Sequence, residues 1–352
     1  MITVIIPTYN RPNCLKKALG SLALQTDNRF NVLVVDDCST EDVKWIVDAY
    51  IESGMAVEYI KTPQNGGAGM ARNYGIDYVT ERANANKVKG SKKNKKQSQI
   101  SKDFIVFLDS DDMLLPNAIA TYNSVLHSTE QVQVLATLFM EEHNDQYGNK
   151  YYTQPAINNI TWVHGKLYSL DLLNDYSLRF PDMPYGEDLA FNSLVYTVVD
   201  KPLNSHVQTH LRTMEQNSLT NVSVGKEKST YGFLEGANWY ANEINRRNLI
   251  GKAKYTILPN MVSKMYYYSD YLRYRRPQYE LAEFLAKDFY QKINLEEFMK
   301  EPKFISKFID EFSNAMIKYI EGEAYTPFKT FDQTMQELGL DVKDYRNLVK
   351  VQ

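Results

Sequence analysis

Residues 104–112 read FIVFLDSDD, an apolar run short enough for a buried strand that ends in three carboxylates. In an open parallel α/β sheet, ligands bind just outside the carboxyl ends of the strands. Acidic side chains at such an end supply the oxygen ligands that Mg²⁺ and Mn²⁺ prefer, and these ions bridge readily to phosphates. The alternative is a solvated acidic turn before a helix over residues 116–126. The stretch alone leaves both interpretations open.

The rest of the first half alternates strand and helix patterns, which predicts right-handed βαβ units and a mostly parallel sheet. The predicted strands cover residues 3–7, 31–35, 57–61, 104–108 and 132–140, and the predicted helices cover 14–24, 41–52 and 68–81. From about Lys226 onward the apolar spacing is helical, over residues 233–247, 261–274, 279–291 and 304–321. We therefore expect an α/β domain over residues 1–225 and a helical region over 226–352.

The composition is that of a soluble globular protein. The 352 residues are 43% hydrophobic and 24% charged, and the net charge of -3 excludes a surface that is basic throughout. Two cysteines, Cys14 and Cys38, provide neither a disulfide framework nor a zinc-ligand set and fit a reducing compartment, although a disulfide between them stays open. No apolar run is long enough for a membrane span and no signal peptide precedes the first strand, so we expect a cytoplasmic protein.

A lysine-rich segment over residues 82–102 interrupts the strand and helix pattern. It has almost no apolar residues, so it cannot bury enough surface to order itself, and we predict a mobile, exposed loop. The simplest interpretation is a solvated insertion at a loop tip. The functional alternative is an electrostatic arm that binds a polyanionic partner such as nucleic acid.

Polar motifs follow four of the predicted strands and meet at one edge of the predicted sheet. They are PTYNR at 7–11, DDCS at 36–39, NGGAGMARN at 65–73 and the acidic run at 109–112. This set resembles glycosyltransferase family 2, which has the GT-A fold, in both the order and the spacing of its motifs. Only the lysine-rich segment departs from that pattern, and the resemblance covers roughly residues 1–220.

The resemblance implies a site for a nucleotide-sugar donor. Tyr9 would stack on the nucleotide base, and Asp37 would accept a hydrogen bond from it. For Asp37, the alternative is a helix N-cap for the segment that begins near Glu41. Thr8 would line the same edge of the sheet, and Arg11 would face a phosphate.

The same resemblance extends to the glycine-rich loop and to a metal site. Glycines such as Gly67 let the backbone approach the nucleotide closely, and Arg72 opens the helix that follows. Asp111 would ligate the Mn²⁺ or Mg²⁺ ion that holds the diphosphate, with Asp109 by the ribose or the metal. Further predicted contacts are His210 as a third metal ligand, Arg212 as a pyrophosphate clamp, and Asp112 in a structural role.

The reaction also needs a base, because an acceptor hydroxyl is a poor nucleophile until its proton is removed. Residues 185–191, YGEDLAF, resemble the family's Glu-Asp motif, whose aspartate is the base of a direct, inverting displacement. This resemblance assigns the base to Asp188 and a supporting or acceptor-binding role to Glu187. The alternative is an acidic pair that is favoured at a helix N-terminus by the macrodipole.

One more segment, WVHGKLY at 162–168, resembles a family segment that lines the sugar and acceptor pocket. His164 is the candidate sugar or acceptor contact there. The alternative for Leu167 and Tyr168 is ordinary core packing.

The predicted function is metal-dependent, inverting transfer of a sugar from a nucleotide-diphosphate sugar, by default a UDP-sugar, to a glycan or lipid-linked glycan. A sugar-phosphate nucleotidylyltransferase is disfavoured, because it would carry a glycine-rich, basic motif where this chain has PTYN at 7–10. Two alternatives stay open: glycosylation of a hydroxymethylated base in DNA, and an inactive nucleotide-binding module. The tyrosines and arginines of 266–276 suit nucleic acid, peripheral docking on an anionic membrane, or an aromatic-packed helix.

Overall fold

A computed structural model describes residues 1–91, 103–145, 147–157, 159–214, 225–271 and 278–320. The chain divides into two compact units, Met1–Gly225 and Lys226–Gln352. Within the described ranges, no helix has both the length and the hydropathy that a membrane crossing requires.

A mixed sheet, nine-stranded in the described part of the chain, forms the centre of the first unit. The strands are β1 (Ile2–Thr8), β2 (Phe30–Asp36), β3 (Val57–Lys61), β4 (Phe104–Phe107), β5 (Met113–Leu114), β6 (Val134–Asn144), β7 (Lys150–Thr153), β8 (Lys166–Ser169) and β9 (Leu203–Arg212). Their order is β3-β2-β1-β4-β8-β6-β9-β5, and β7 pairs with β6 off that path. Strands β3, β2, β1 and β4 are parallel, whereas β8 is antiparallel to both of its neighbours.

Helices connect these strands and make up the second unit. The first unit contains α1 (Pro12–Ala23), α2 (Lys44–Glu52), α3 (Gly67–Ser91), α4 (Ala118–Ser128), α5 (Leu170–Asp175) and α6 (Glu187–Val198). The second contains α7 (Gly225–Arg246), α8 (Ile250–Ala253), α9 (Leu258–Tyr271), α10 (Gln278–Ile293), α11 (Leu295–Phe298) and α12 (Pro302–Ile320).

The parallel strands place the candidate site. Every residue of β1 and β4 is buried, as expected for strands whose two faces are both covered. The chain passes from β1 to β2 and β3 on one side, and β4 joins β1 on the other side. Strand order therefore reverses between β1 and β4, and the crevice at their carboxyl ends is the expected ligand-binding position of such a sheet.

The predicted α/β class and the helical C-terminal region are both observed. The four parallel strands lie within one or two residues of their predicted bounds, because apolar runs flanked by polar turns mark them clearly. The sequence analysis did not anticipate the antiparallel strands β5, β7 and β8. Strand β5 has only two residues, and all four residues of β7 are exposed, so neither carries a hydrophobic pattern.

The loop predicted over 82–102 is wrong for its first ten residues, since α3 continues to Ser91. A helix that is already nucleated extends at little cost through alanine and lysine, which are strong helix formers. Arg82 also anchors this part of the helix, because it pairs with Glu58 and donates to Thr3 Oγ1 at 3.2 Å. The remaining predicted loop, 92–102, lies outside the described residues.

The helical second unit has its own aromatic core. Phe289, Phe304 and Phe308 are fully buried. Tyr266 stacks on Tyr290 with ring centroids 5.1 Å apart, and Tyr268 packs against Phe233 at 4.7 Å. Packing therefore accounts for these two tyrosines of the 266–276 segment, whose arginines lie outside the described residues.

Candidate active site

Hydrogen bonds join the two tight loops that follow β1 and β2. Asn10 and Cys38 have φ values of 51° and 60°, a left-handed conformation that is uncommon for residues other than glycine. Asn10 Oδ1 accepts hydrogen bonds from the N–H groups of Thr40 and Glu41, and the Asn10 N–H donates to Ser39 Oγ at 2.9 Å. These hydrogen bonds fix the loop after β1, which carries Tyr9 at the edge of the sheet.

Tyr9 and Thr8 occupy this edge differently. The Tyr9 side chain is 42% exposed, which leaves its ring accessible to the base that it is predicted to stack on. Thr8 is buried, and its hydroxyl has no hydrogen-bond partner in the part of the chain that the structure describes. A buried, unpaired hydroxyl at a strand end is a position where a ligand atom could form the missing hydrogen bond.

Asp37 shapes the glycine-rich loop. Its carboxylate accepts from the Gly66 N–H at 3.0 Å, the Gly67 N–H at 2.7 Å and the Thr62 hydroxyl at 3.1 Å. Gly67 has φ of +83°, which requires glycine, so the carboxylate stabilises a turn of defined shape. The helix-cap alternative for Asp37 is wrong, because α2 begins only at Lys44. The predicted hydrogen bond from Asp37 to a nucleotide base stays a prediction.

Arg72, near the start of α3, joins three carboxylates. Its Nη2 donates to Asp109 Oδ1 at 2.6 Å, and its Nη1 donates to Asp188 Oδ1 at 2.9 Å and contacts Glu187 Oε1 at 3.4 Å. The sequence places Arg72 at the nucleotide loop, but the structure buries its side chain to 2% exposure. We call Arg72, Asp109, Glu187 and Asp188 the arginine cluster.

Close packing of α3 on the sheet lets Arg72 reach these partners. A Cβ on Gly75 would lie 2.8 Å from Ile5 Cγ2 and 3.2 Å from Val35 Cγ2. Only glycine permits that approach of the helix to β1 and β2. The first turns of α3 are thereby held against the strand ends.

The arginine cluster separates the pKa values of two carboxyl groups. Burial, which Arg72 opposes and Glu187 reinforces, raises the pKa of Asp188 to about 7. Burial acts to raise the pKa of Asp109 as well, but Arg72 together with His164 and His210 outweighs it, and the pKa falls to about 2. Asp109 is therefore ionised at neutral pH, whereas Asp188 exchanges a proton there, as a general base must.

Arg11 and Asp111 form an ion pair beside this cluster. Arg11 Nη1 lies 2.6 Å from Asp111 Oδ2, and the two side chains are 30% and 16% exposed. Burial and the nearby Asp109 raise the pKa of Asp111, and Arg11 opposes them. The predicted metal ligand Asp111 and the predicted phosphate contact Arg11 thus lie together, and the Arg11 guanidinium occupies the position next to Asp111 where a metal ion is predicted.

A second cluster, the Asp-His-His triad, consists of Asp112, His164 and His210. His210 Nε2 and His164 Nδ1 lie 3.4 and 3.5 Å from Asp112 Oδ2, and the three ligand atoms lie within 4.8 Å of one another. Ligands about 2.0–2.1 Å from one tetrahedral ion would be about 3.3 Å apart, so the two distances to Asp112 Oδ2 are compatible with metal ligation as well as with a long hydrogen bond from His210. Among the described residues, His164 Nδ1 has no hydrogen-bond partner.

The triad's own charges also fit metal ligation. Burial lowers the pKa of His164 well below its usual value, so the imidazole is neutral and its nitrogen is free to ligate. Burial raises the pKa of Asp112 to about 6, although His210 opposes the shift. The Asp112 Oδ1 atom accepts from the Thr213 N–H at 2.9 Å, which orients the carboxylate.

The triad is the part of the site that sequence reasoning missed. His210 is predicted beside Asp109 and Asp111, but the structure places it against Asp112 and His164. Antiparallel pairing of β5 with β9 sets Leu114 opposite His210, which brings the histidine to the acidic run. Because β5 has no pattern of its own, no signal in the sequence announces that pairing.

Arg212 lies next to the triad. Its guanidinium carbon is 4.6 Å from the centre of the Trp162 ring, and Nη1 lies 3.2 Å from Glu141 Oε1. Trp162 in turn stacks on His164 with ring centroids 5.8 Å apart. A pyrophosphate clamp at Arg212 remains a prediction.

Comparison with known proteins decides the family. The sequence model of "Glycosyl transferase family 2" matches residues 3–168. Residues 3–168 form a glycosyltransferase family 2 domain. The family predicted from the motifs is thus confirmed.

Relatives of this glycosyltransferase domain come from several bacteria. An uncharacterised glycosyltransferase of Mycoplasma pneumoniae is 37% identical over 121 residues, which cover 34% of this chain and 33% of the relative. The glycosyltransferase GlyA of Streptococcus pneumoniae is 25% identical over 244 residues, covering 63% of this chain and 32% of GlyA. The chain thus spans about a third of the length of these two curated relatives.

The fold of the glycosyltransferase domain and its helical region also matches a solved structure. TarS 1–349 of S. aureus superposes with a TM-score of 0.60 at 19% identity, covering 92% of this chain and 93% of TarS 1–349. A second structure holds TarS 1–349 in complex with UDP-GlcNAc, with a TM-score of 0.59 at 18% identity and the same two coverages. These likenesses confirm the predicted GT-A fold.

Proposed function

We propose that the chain transfers a sugar from a nucleotide-diphosphate sugar to an acceptor hydroxyl with inversion, and that Asp188 is the base. One observation carries the proposal: Arg72 unites the strand-end Asp109 with Glu187 and Asp188 from the start of α6. The acidic run at 109–112 and the motif at 185–191 thereby contribute to one site, at the carboxyl ends of β1 and β4. Family membership of the first unit supports this chemistry.

The transfer follows from the state of Asp188. Its carboxylate is 13% exposed and accepts from Arg72 Nη1 at 2.9 Å, so one side is held while the group still borders solvent. In its ionised form it removes the proton of the acceptor hydroxyl, and that oxygen bonds to the anomeric carbon as the bond to the diphosphate breaks. A pKa near 7 suits this step, since base strength and ionised fraction are balanced at neutral pH.

A divalent ion, Mn²⁺ or Mg²⁺, has two candidate ligand sets that share His210. One is the predicted set with Asp109 and Asp111, and the other is the Asp-His-His triad. The triad suits the ion better, because Asp109 and Asp111 are each paired with an arginine whereas His164 Nδ1 has no hydrogen-bond partner within the described ranges. Two imidazoles favour Mn²⁺ over Mg²⁺. A bound ion would supply positive charge that stabilises the departing diphosphate.

The donor is tested by thermal unfolding with UDP, GDP, CDP and dTDP, each with and without Mn²⁺. We expect UDP with Mn²⁺ to stabilise the protein, by about 2.7 kcal/mol at a hundred times its dissociation constant. UDP-GlcNAc is the first intact donor to assay, since TarS 1–349 binds it on the same fold. If no nucleotide shifts the melting temperature, the donor site is contradicted; if UDP binds but no sugar moves to any acceptor, the inactive binding module is favoured.

Variants of the two ligand sets test the metal proposal. We expect His210→Ala to remove the Mn²⁺-dependent part of the UDP shift, because both sets need that imidazole. His164→Gln removes it only if the triad binds the ion, and Asp111→Asn only if the carboxylate pair does. His143→Ala is the matched control, since this histidine stacks on Tyr151 in the β6–β7 hairpin. An unchanged metal response in His210→Ala would refute both sets.

For the acceptor we propose a hydroxyl of a glycan or lipid-linked glycan. The nucleic-acid alternative depends on the lysines of 92–102 and the arginines of 273–276, which lie outside the described residues. Salt distinguishes the two, because binding to a nucleic-acid phosphate backbone weakens steeply as salt rises. We expect less than a twofold change in KM for the acceptor between 50 and 200 mM NaCl, where a DNA acceptor bound through several phosphates would lose roughly 10³-fold.

A further inference from the structure

Lys166 is a buried amine that the proposed transfer does not use, and burial lowers its pKa to about 7. It opens β8 with a side chain that is 2% exposed, between the fully buried residues Gly165 and Leu167. Its Nζ donates to the Asn159 carbonyl at 2.8 Å and to the Trp162 carbonyl at 2.6 Å. Burial of an amine costs free energy, so a lysine in a strand that otherwise builds core needs an explanation.

The two carbonyls belong to residues 159–165, which we call the tryptophan loop. This loop carries Trp162, whose ring packs between His164 and the Arg212 guanidinium. It also carries Val163, whose backbone N–H lowers the pKa of Asp188 and so favours its charged form. The tryptophan loop therefore contacts the proposed base and contributes a residue of the triad.

A second side chain holds the same loop from α6. Asn192 Nδ2 donates to the Trp162 carbonyl at 3.0 Å, and Asn192 Oδ1 accepts from the Tyr168 hydroxyl at 2.7 Å. The Trp162 carbonyl thus receives hydrogen bonds from a strand and from a helix. Asp188 lies one turn before Asn192 on α6, so the same helix carries the proposed base and the side chain that holds the tryptophan loop.

We propose that Lys166 is a positioning residue, which sets the tryptophan loop through the Asn159 and Trp162 carbonyls and thereby holds Trp162 against His164 and the Val163 backbone near α6, which carries Asp188. It acts through the loop and touches no reacting atom. This proposal rests on the proposed function, since the base that it positions is Asp188. The burial of Lys166, Leu167 and Tyr168 favours the core-packing alternative for this part of 162–168, and His164 as a sugar or acceptor contact stays a prediction.

The activity test compares Lys166→Met with Lys166→Gln. Methionine fills the space but removes both hydrogen bonds, and we expect kcat to fall up to about a hundredfold, as for a displaced catalytic group. The apparent pKa of kcat should rise, because the Val163 backbone N–H and the charge of Lys166 both favour the charged form of Asp188. The dissociation constant for UDP should change less than twofold. Glutamine keeps an N–H₂ group that reaches a carbonyl, so it should restore part of kcat.

A fluorescence test is independent of activity. The chain has three tryptophans, so Trp45→Phe and Trp239→Phe leave Trp162 as the sole reporter. We expect Lys166→Met to increase acrylamide quenching of Trp162 at least twofold, because the loop is released. Unchanged quenching together with an unchanged pH profile would overturn the proposal. If the wild-type chain transfers no sugar, the proposed function fails alone, while the quenching still decides whether Lys166 sets the loop.

A merely structural effect is excluded with Leu19→Ala. Leu19 is fully buried on α1, so its truncation leaves a cavity and destabilises the fold. Its contacts lie in the core beneath β1 and β2 rather than at the tryptophan loop. We expect this control to lower the melting temperature while the quenching of Trp162 and the pH profile of kcat stay unchanged. Equal effects of Leu19→Ala and Lys166→Met on both readouts would count against a positioning role.

Discussion

Asp188→Asn is expected to lower kcat about a thousandfold, within the 10²–10⁴ range that a general base contributes. Asparagine keeps an oxygen that accepts from Arg72, so the arginine cluster should stay assembled and the dissociation constant for UDP should change less than threefold. The measurement is kcat and UDP binding on the same preparation. Turnover within tenfold of the wild type would remove Asp188 from the role of base.

The assignment of Asp188 as the base also predicts the direction in which kcat changes with pH. Burial raises the pKa of Asp188 to about 7, and the ionised form is the active one. In the wild type, kcat should therefore rise tenfold per pH unit below 7 and level off above it. Asp188→Asn should lose this inflection, whereas Glu187→Gln, the neighbouring carboxyl that lies 3.4 Å from Arg72, should retain it.

Arg72→Met is expected to cost about 3–5 kcal/mol of stability and to abolish transfer. Removal of one partner of a buried ionic group leaves the remaining charges uncompensated, and here Asp109, Glu187 and Asp188 would face one another without a cation. Urea unfolding at pH 8 measures the loss. Arg72→Lys should lose less stability than Arg72→Met, because lysine keeps the positive charge. It should still be less stable than the wild type, because an ammonium cannot bridge three carboxylates.

The loss of stability should shrink as the pH falls. Without Arg72, the carboxyl pKa values in the folded state rise above those of the unfolded chain, so the folded state binds more protons between the two. Stability of Arg72→Met then decreases as pH increases through that window, and the difference from the wild type should be smaller at pH 5.5 than at pH 8. An equal loss at both pH values would contradict the assignment of Arg72 as the counter-ion.

Local patterns predicted the parallel half of the sheet and the edge that carries the site. The buried run of 104–107 and its acidic end identify β4 from sequence alone, because a strand covered on both faces reads as continuous apolar sequence. The position of Asp188 beside Asp109 was not readable in the same way. It depends on Arg72, whose reach follows from packing of α3 that only coordinates reveal.

Long-range pairing explains the remaining misses. The triad needs β5 against β9, and the burial of Lys166 needs β8 between β4 and β6. Each pairing joins short segments that are far apart in sequence, so neither periodicity nor propensity records it. The helical extension of α3 to Ser91 is a different kind of miss, since low hydrophobicity was taken as a sign of disorder where helix propensity prevailed.

The arginine cluster also bears on the order in which the domain folds. Arg72 is separated from Asp109 by 37 residues but from Asp188 by 116. During synthesis from the N-terminus, Arg72 meets Asp109 long before α6 has left the ribosome. The second contact closes a much longer loop and belongs among the late events of folding. A nascent chain that stops before residue 187 can thus build the parallel strands, while the base and its counter-ion come together only when α6 docks.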